Sequence, residues 1–128
     1  SGILNRYETY FFEIYLHGNL KSIGYIDLRV GHNEQLYYLG NIGYRIQPAY
    51  RGHGYAAKAC KMILPVAKSL FMKYLLITCD PDNIASRKTI ERVGFQFVEV
   101  AEVPPNHMLH RQGEHVKAIY RMELEEAV

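Results

Sequence analysis

The sequence predicts a mixed α/β (α+β) domain with a mostly antiparallel sheet, one central βαβ unit and flanking helices. Three observations point there. Two apolar runs, residues 10–16 and 21–30, flank the turn signal His17-Gly18-Asn19, which reads as an antiparallel hairpin. A strand-like run ending at Ile46 leads through Pro48 and a pair of glycines into a helical repeat, and then into a short continuous apolar run. A second helical repeat and two further strand-like runs complete the chain.

In the first run apolar and aromatic residues are broken only by Glu13. Alternation in the second run puts Ile26 and Leu28 on the face shared with Tyr10, Phe12, Ile14 and Leu16. That register sets Glu13 opposite Tyr25 and Phe11 opposite Asp27. Residues 31–35 read as a polar loop and residues 36–46 as a third strand region. Gly40 and Gly43 lie inside it, where a bulge or close backbone approach is expected.

From Tyr55 to about Leu70, Ala56, Ala59, Cys60, Ile63, Ala67 and Leu70 recur at helical spacing, with Lys58, Lys61 and Lys68 outside. Pro65 should kink or shorten this helix. Residues 74–79 read as a strand buried on both faces and parallel to its neighbour through the helical crossover. Asn83 is a plausible N-cap for a helix reaching Val93, and Gly94 is its C-cap signal. Residues 95–103 and 116–124 read as strands, joined by a histidine-rich loop that opens at Pro104-Pro105.

The chain has 128 residues, 48% of them hydrophobic, and a net charge of +2. Residues 1–128 are read as a single domain. Lysine and arginine are not clustered, which argues against a nucleic-acid partner. No apolar run approaches the ~20 residues of a membrane span, so no membrane partner is expected. Cys60 and Cys79 have neither metal spacing nor a disulfide framework, and suit a reducing, cytoplasmic setting. Ser1-Gly2, without a methionine, reads as a cloning remnant with the native N-terminus missing.

The stretch Arg51-Gly52-His53-Gly54-Tyr55-Ala56 is the most informative. Glycines at 52 and 54 allow positive φ and a close backbone approach. The helix behind them offers unpaired N–H groups and a positive dipole end, which suits a phosphate or pyrophosphate. One reading is a strand-to-helix turn that needs glycine for geometry alone. A second is a dinucleotide site, since Gly52-x-Gly54-x-x-Ala57 follows a strand, but the antiparallel runs before it leave no room for the repeated βαβ units such a fold requires.

A third reading rests on two blocks. Arg51-x-x-Gly54-x-Ala56 resembles the R/Q-x-x-G-x-G/A signature of the GNAT superfamily of N-acetyltransferases. Asn83-x-x-Ser86, followed by Gly94-Phe95, is similar to the branch that includes ribosomal-protein N-terminal acetyltransferases. The element order fits from residue 10 to residue 124. The resemblance implies a GNAT-like fold and acetyl-CoA as co-substrate. The backbone from Gly52 through His53, Gly54 and Tyr55 to Ala56 would cradle its pyrophosphate. Arg51 would fix the loop. The end of the third strand, with Tyr44, Ile46 and Gln47, would hydrogen-bond the pantetheine arm as an added strand does. In this fold that strand and the one starting at Tyr74 splay apart, and Asn83 would contact the arm near the thioester.

Many members of the family carry a tyrosine seven residues after that asparagine, where this chain has Ile90. Ser86 is the candidate catalytic residue, as proton donor to the leaving thiolate. A serine at that place also commonly satisfies free helical N–H groups. For the base, Glu34, Asp27, Glu13 and an ordered water stay open; Asp27 also suits a pair with Arg29. His107, His110 and His115 lack a cysteine partner, and no metal is expected. Cys79 reads as a buried, inert thiol. Tyr37 and Tyr38 could line an acceptor groove.

The family usually places a strand and one or two helices before the hairpin. About nine residues precede Tyr10, so these N-terminal elements are expected to be shortened or absent. The wall of the acceptor site would then come from a second subunit, a homodimer, or be missing. The reading is an N-acetyltransferase that moves acetyl from acetyl-CoA directly to an amine, a small molecule or a protein N-terminus. The alternative is a non-catalytic acyl-CoA-binding or regulatory module of the same fold.

Overall fold

The computed structural model describes residues 7–124; the reading of Ser1-Gly2 lies outside them. In chain order the elements are β1 (Glu8–Ile14), β2 (Gly24–Val30), α1 (Glu34–Leu39), β3 (Ile42–Ile46), a 3-10 turn (Pro48–Tyr50), α2 (Tyr55–Ser69), β4 (Tyr74–Cys79), α3 (Ile84–Val93), β5 (Gln96–Glu102), α4 (Met108–Arg111) and β6 (Val116–Glu123).

The strands form two antiparallel three-stranded sheets, β1-β2-β3 and β4-β6-β5. The hairpin has the expected register, with Phe11 opposite Asp27 and Glu13 opposite Tyr25. Across β2 and β3, Leu28 faces Ile42, Ile26 faces Tyr44 and Gly24 faces Ile46. Period-two alternation puts these residues on one face. There Ile26, Leu28 and Ile42 share a core with Cys60 and Ile63 of α2 and with Leu75 and Ile77 of β4.

The third strand region needs correction. Residues 36–39 belong to α1, and β3 begins at Ile42. Asn33 Oδ1 accepts from the Leu36 N–H at 2.8 Å and caps the helix, which outweighs the strand preference of Tyr37 and Tyr38. Gly40, at φ 83°, ends it.

The expected parallel pairing of β4 with its neighbour is also corrected. The crossover through α2 is present, but β4 pairs antiparallel with β6, and β3 is bonded to β2. The two sheets meet at Asn41, which is fully buried. Its backbone N–H donates to the Leu76 carbonyl at 2.7 Å. Its side-chain oxygen accepts from the Leu76 N–H at 2.8 Å, and its amide donates to the carbonyls of Arg29 and Gly31 at 2.8 and 2.9 Å. Every polar atom of this buried side chain is thereby used, as burial demands. Past this junction β3 and β4 share no ladder, and a cleft opens.

Pro65 does not interrupt α2. It and Lys61, whose carbonyl would have bonded its missing N–H, lie on the exposed side, where water can take over. α4, within the histidine-rich loop, was not anticipated; His107 Nδ1 caps it through the Leu109 N–H at 3.0 Å. Among the described residues no helix is long and apolar enough to cross a membrane.

Candidate functional site

The site begins with the backbone of β3. Asn41 accepts from the Arg29 N–H at 2.6 Å, and Gln47 donates to the Ile23 carbonyl at 2.8 Å. Odd-numbered residues therefore bond to β2. Backbone groups alternate sides along an antiparallel ladder, so those of Tyr44 and Ile46 point away from β2 into the cleft. The Ile46 carbonyl is met there by Arg51 Nε at 2.9 Å.

Beyond the 3-10 turn, Gly52 and Gly54 adopt φ of 87° and 78°. This left-handed geometry lets the chain reverse into α2, and no side chain caps that helix. The first N–H groups of α2 therefore face the cleft without an intrahelical partner.

Across from them stands α3. Asn83 Oδ1 accepts from the Ser86 N–H at 3.1 Å, the N-cap read from the sequence. Because Asn83 performs the capping, the Ser86 hydroxyl does not. That hydroxyl and the one of Thr89 stand beside the Tyr44 phenol. Burial holds the phenol above its ordinary pKa, and the two hydroxyls pull the other way without offsetting it. Tyr44 is thus neutral at physiological pH.

The resulting cleft has a volume of about 630 Å³, within the range of small-molecule sites. Of the sequence-predicted residues, Tyr44, Ile46, Arg51, Gly52, Gly54, Tyr55, Ala56, Asn83 and Ser86 line it together. Two do not. Gln47 turns toward β2, its side chain donating to the Ser22 carbonyl at 3.2 Å. His53 is exposed, its ring tilted against Tyr55.

Three lining cations escaped the sequence reading: Arg45, Lys88 and Arg92. With Arg51 they put four positive charges on a lining that, among the described residues, contains no acidic side chain. Four of the chain's 15 lysines and arginines thus face one cleft, which favours an anionic ligand. Arg92 Nη1 lies 3.9 Å from where a Cβ on Gly54 would sit, so its guanidinium reaches across to the glycine loop. The signal was the spacing of Lys88 and Arg92, one turn apart on α3 and behind Asn83.

The candidate bases stand elsewhere. Asp27 Oδ1 accepts from the Gly43 N–H at 3.0 Å and pairs with Arg29 Nη2 at 3.3 Å, so it pins β2 to β3. Glu34 is in the first turn of α1, and Glu13 is exposed on β1. His107 Nδ1 is an acceptor, so Nε2 carries the proton and donates to the Gln35 carbonyl at 2.9 Å, a structural tie. Burial raises the thiol pKa of Cys79, and that of Cys60 to about 12. Tyr37 and Tyr38 line a separate recess of about 360 Å³ with His32 and Tyr74.

Residues 3–96 match the family model described as an acetyltransferase (GNAT) domain. One relative, the uncharacterized N-acetyltransferase YnaD of Bacillus subtilis (strain 168), is 31% identical over 75 residues, covering 55% of this chain and 44% of that protein. A ribosomal-protein-S5-alanine acetyltransferase from Vibrio fischeri has the same fold, with a TM-score of 0.70 and 16% identity over 91% of this chain and 62% of that one. The microcin C7 self immunity acetyltransferase MccE, in complex with acetyl-CoA and AMP, gives 0.66 and 22% over 90% and 61%. The chain thus spans less than half of the curated relative and about three fifths of the two structures.

Proposed function

The chain belongs to the GNAT acetyltransferase family, and from that premise we propose that it transfers acetyl from acetyl-CoA directly to an amine. The observation that carries this reading is the pairing, in one cleft, of four cations with the free backbone edge of β3. Coenzyme A has a polyanionic end and an amide-bearing arm, and the cleft offers a complement to each. The amides from Gly52 to Ala56 receive the pyrophosphate, with Arg92 across from them. Arg51 holds the loop to β3. Tyr44 and Ile46 bond the arm, with Asn83 beside it. The bound acetyl-CoA of MccE supports this choice of co-substrate.

In the transfer the amine nitrogen attacks the thioester carbonyl. A C–N bond forms, the C–S bond breaks, and no acyl-enzyme intervenes. The nitrogen loses a proton to water or a carboxylate, and the departing sulfur gains one from Ser86, supported by Tyr44 and Thr89. The name of the Vibrio fischeri neighbour makes a protein N-terminus one acceptor to test, beside small amines. The buried thiols fit a cytoplasmic setting.

A second reading is a non-catalytic acyl-CoA-binding module. It is favoured by Ile90, buried where the family resemblance leads one to expect a tyrosine, and by a lining without a carboxylate among the described residues. Thermal shift with acetyl-CoA against NAD, followed by coenzyme A release over an amine panel, separates the two. A shift with acetyl-CoA and turnover on at least one amine is expected. A shift without turnover selects the binding module, and no shift defeats both.

A further inference from the structure

Arg87 follows Ser86 on α3, and successive residues of a helix point about 100° apart. Ser86 and Lys88 line the cleft, while Arg87 reaches behind the helix to the second sheet. Its Nε donates to the Tyr120 hydroxyl at 2.8 Å, and its Nη1 donates to the Pro81 carbonyl at 3.2 Å. Tyr120 is fully buried on β6, in register with Ile77 of β4 on one side and Phe97 of β5 on the other. Its own hydroxyl proton goes to Glu91 Oε1 at 3.2 Å. Arg87 and Glu91 stand one turn apart, so a buried phenol bridges a cation and a carboxylate of the same helix. The guanidinium also lies over the Phe97 ring, 5.4 Å from its centroid.

One side chain thus fastens three pieces: the first half of α3, the loop that enters it at Pro81, and the central strand of the second sheet. The buried apolar residues of α3, Ile90 and Val93, lie in its second half. The cap bond from Asn83 to the Ser86 N–H joins those two residues to each other, and Arg87 ties the pair to β6. Lysine would keep the charge, but its single nitrogen does not reproduce a planar fork with two donors set apart.

We infer that Arg87 is a positioning residue for acetyl transfer, holding the first turn of α3 so that Asn83 and the Ser86 hydroxyl stand at the thioester end of the cleft. This rests on reading the cleft as the acetyl-CoA site and Ser86 as donor to the departing sulfur. Arg87 acts through Ser86 and does not itself meet the reacting atoms.

Arg87→Lys is compared with wild type by coenzyme A release from acetyl-CoA, using the amine of the panel that turns over fastest. Its kcat should fall by about tenfold or more, as misplacing a reacting group does, while KM for acetyl-CoA changes by less than about threefold because the glycine loop is untouched. In the Ser86→Ala background the same change should cost less than about twofold in kcat, which a general loss of fold would not produce. Tyr120→Phe, which keeps the ring and spares the charge, should show the same split. In the free protein, hydrogen exchange of the Ser86 amide should quicken by about three- to tenfold in Arg87→Lys, with the amides of Ile90 and Val93 unchanged. Wild-type kcat in Arg87→Lys overturns the inference, as does a loss that multiplies with that of Ser86→Ala. So does unchanged exchange at Ser86. Absence of turnover by the wild type on every amine defeats the reading of the cleft as a transfer site instead, and the exchange comparison then decides the hold of Arg87 on α3 by itself.

Discussion

Arg51 Nε donates to the Ile46 carbonyl at 2.9 Å, tying the start of the glycine loop to the last residue of β3. The bond joins the two parts of the cleft that hold opposite ends of the proposed ligand. Charged donors contribute about 1.5–3 kcal/mol to such a bond when desolvated, and less here because Arg51 is exposed. Arg51→Ala should therefore weaken acetyl-CoA binding by about three- to tenfold with little change in melting temperature. Isothermal titration against thermal melts distinguishes this from a general loss of fold.

Gly54 has two reasons to resist substitution. Its φ of 78° costs a residue with a Cβ about 1–2 kcal/mol, and a larger side chain would enter the space between the loop and Arg92. Gly52 has a similar φ, but nothing lies within 4 Å of its added Cβ. Gly54→Val should thus abolish measurable acetyl-CoA binding, while Gly52→Ala lowers stability by about 1 kcal/mol and keeps most of the affinity. Equal affinity in Gly54→Val and wild type would displace the pyrophosphate from this loop.

The cations of α3 predict a salt dependence. Exposed charges are screened over about 8–10 Å at ordinary ionic strength, so acetyl-CoA affinity should fall as salt is added. Lys88→Gln with Arg92→Gln should lower affinity by about tenfold at low salt and flatten that fall. Acetyl-pantetheine, without the phosphates, should bind both proteins alike. A variant that weakens acetyl-pantetheine as much as acetyl-CoA would place these residues against the wrong end of the ligand.

The hairpin register was legible because period-two alternation fixes it: a slip by one residue would bury Glu13 and Asp27 on the core side. The glycine loop and the Asn83 cap were legible for a local reason, since each acts on backbone within three residues. Residues 36–39 misled because their aromatic side chains suit a strand, and one cap bond from Asn33 reversed the outcome. The splay of β3 from β4 follows from the resemblance, but its fulcrum does not. Asn41 couples the backbone of Arg29 and Gly31, at the end of β2, to that of Leu76 on β4, which local sequence does not encode. Arg92 was missed likewise, because its approach to Gly54 depends on how α3 packs beside α2.

Tyr37 ties α1 to β5, its hydroxyl donating to the Glu99 carboxylate. The bond to that carboxylate raises the phenol pKa to about 12 from 10.0. A group whose pKa is higher folded than unfolded lends its full stability below the unfolded value and loses it as pH rises through the folded one. Wild type should therefore lose stability between about pH 10 and pH 12 more steeply than Tyr37→Phe, with the two curves parallel near neutrality. Urea midpoints across that window give the comparison, and matching slopes would remove the Tyr37–Glu99 bond from solution.

Ser86 carries the last prediction, and its test depends on what Asn83 already does. The cap bond from Asn83 relieves the Ser86 hydroxyl of helix duty, so Ser86→Ala should leave α3 and the melting temperature nearly unchanged. If the hydroxyl protonates the departing thiolate, turnover should drop by about one to two orders of magnitude with acetyl-CoA affinity retained. Tyr44→Phe should act in the same direction, because the Tyr44 phenol stands beside Ser86 and Thr89. The Ser86→Ala defect should then be non-additive with Tyr44→Phe, since the two side chains are neighbours. Multiplying defects in the double variant would make the two side chains independent, and unchanged turnover in Ser86→Ala would hand the proton to Tyr44 or to water.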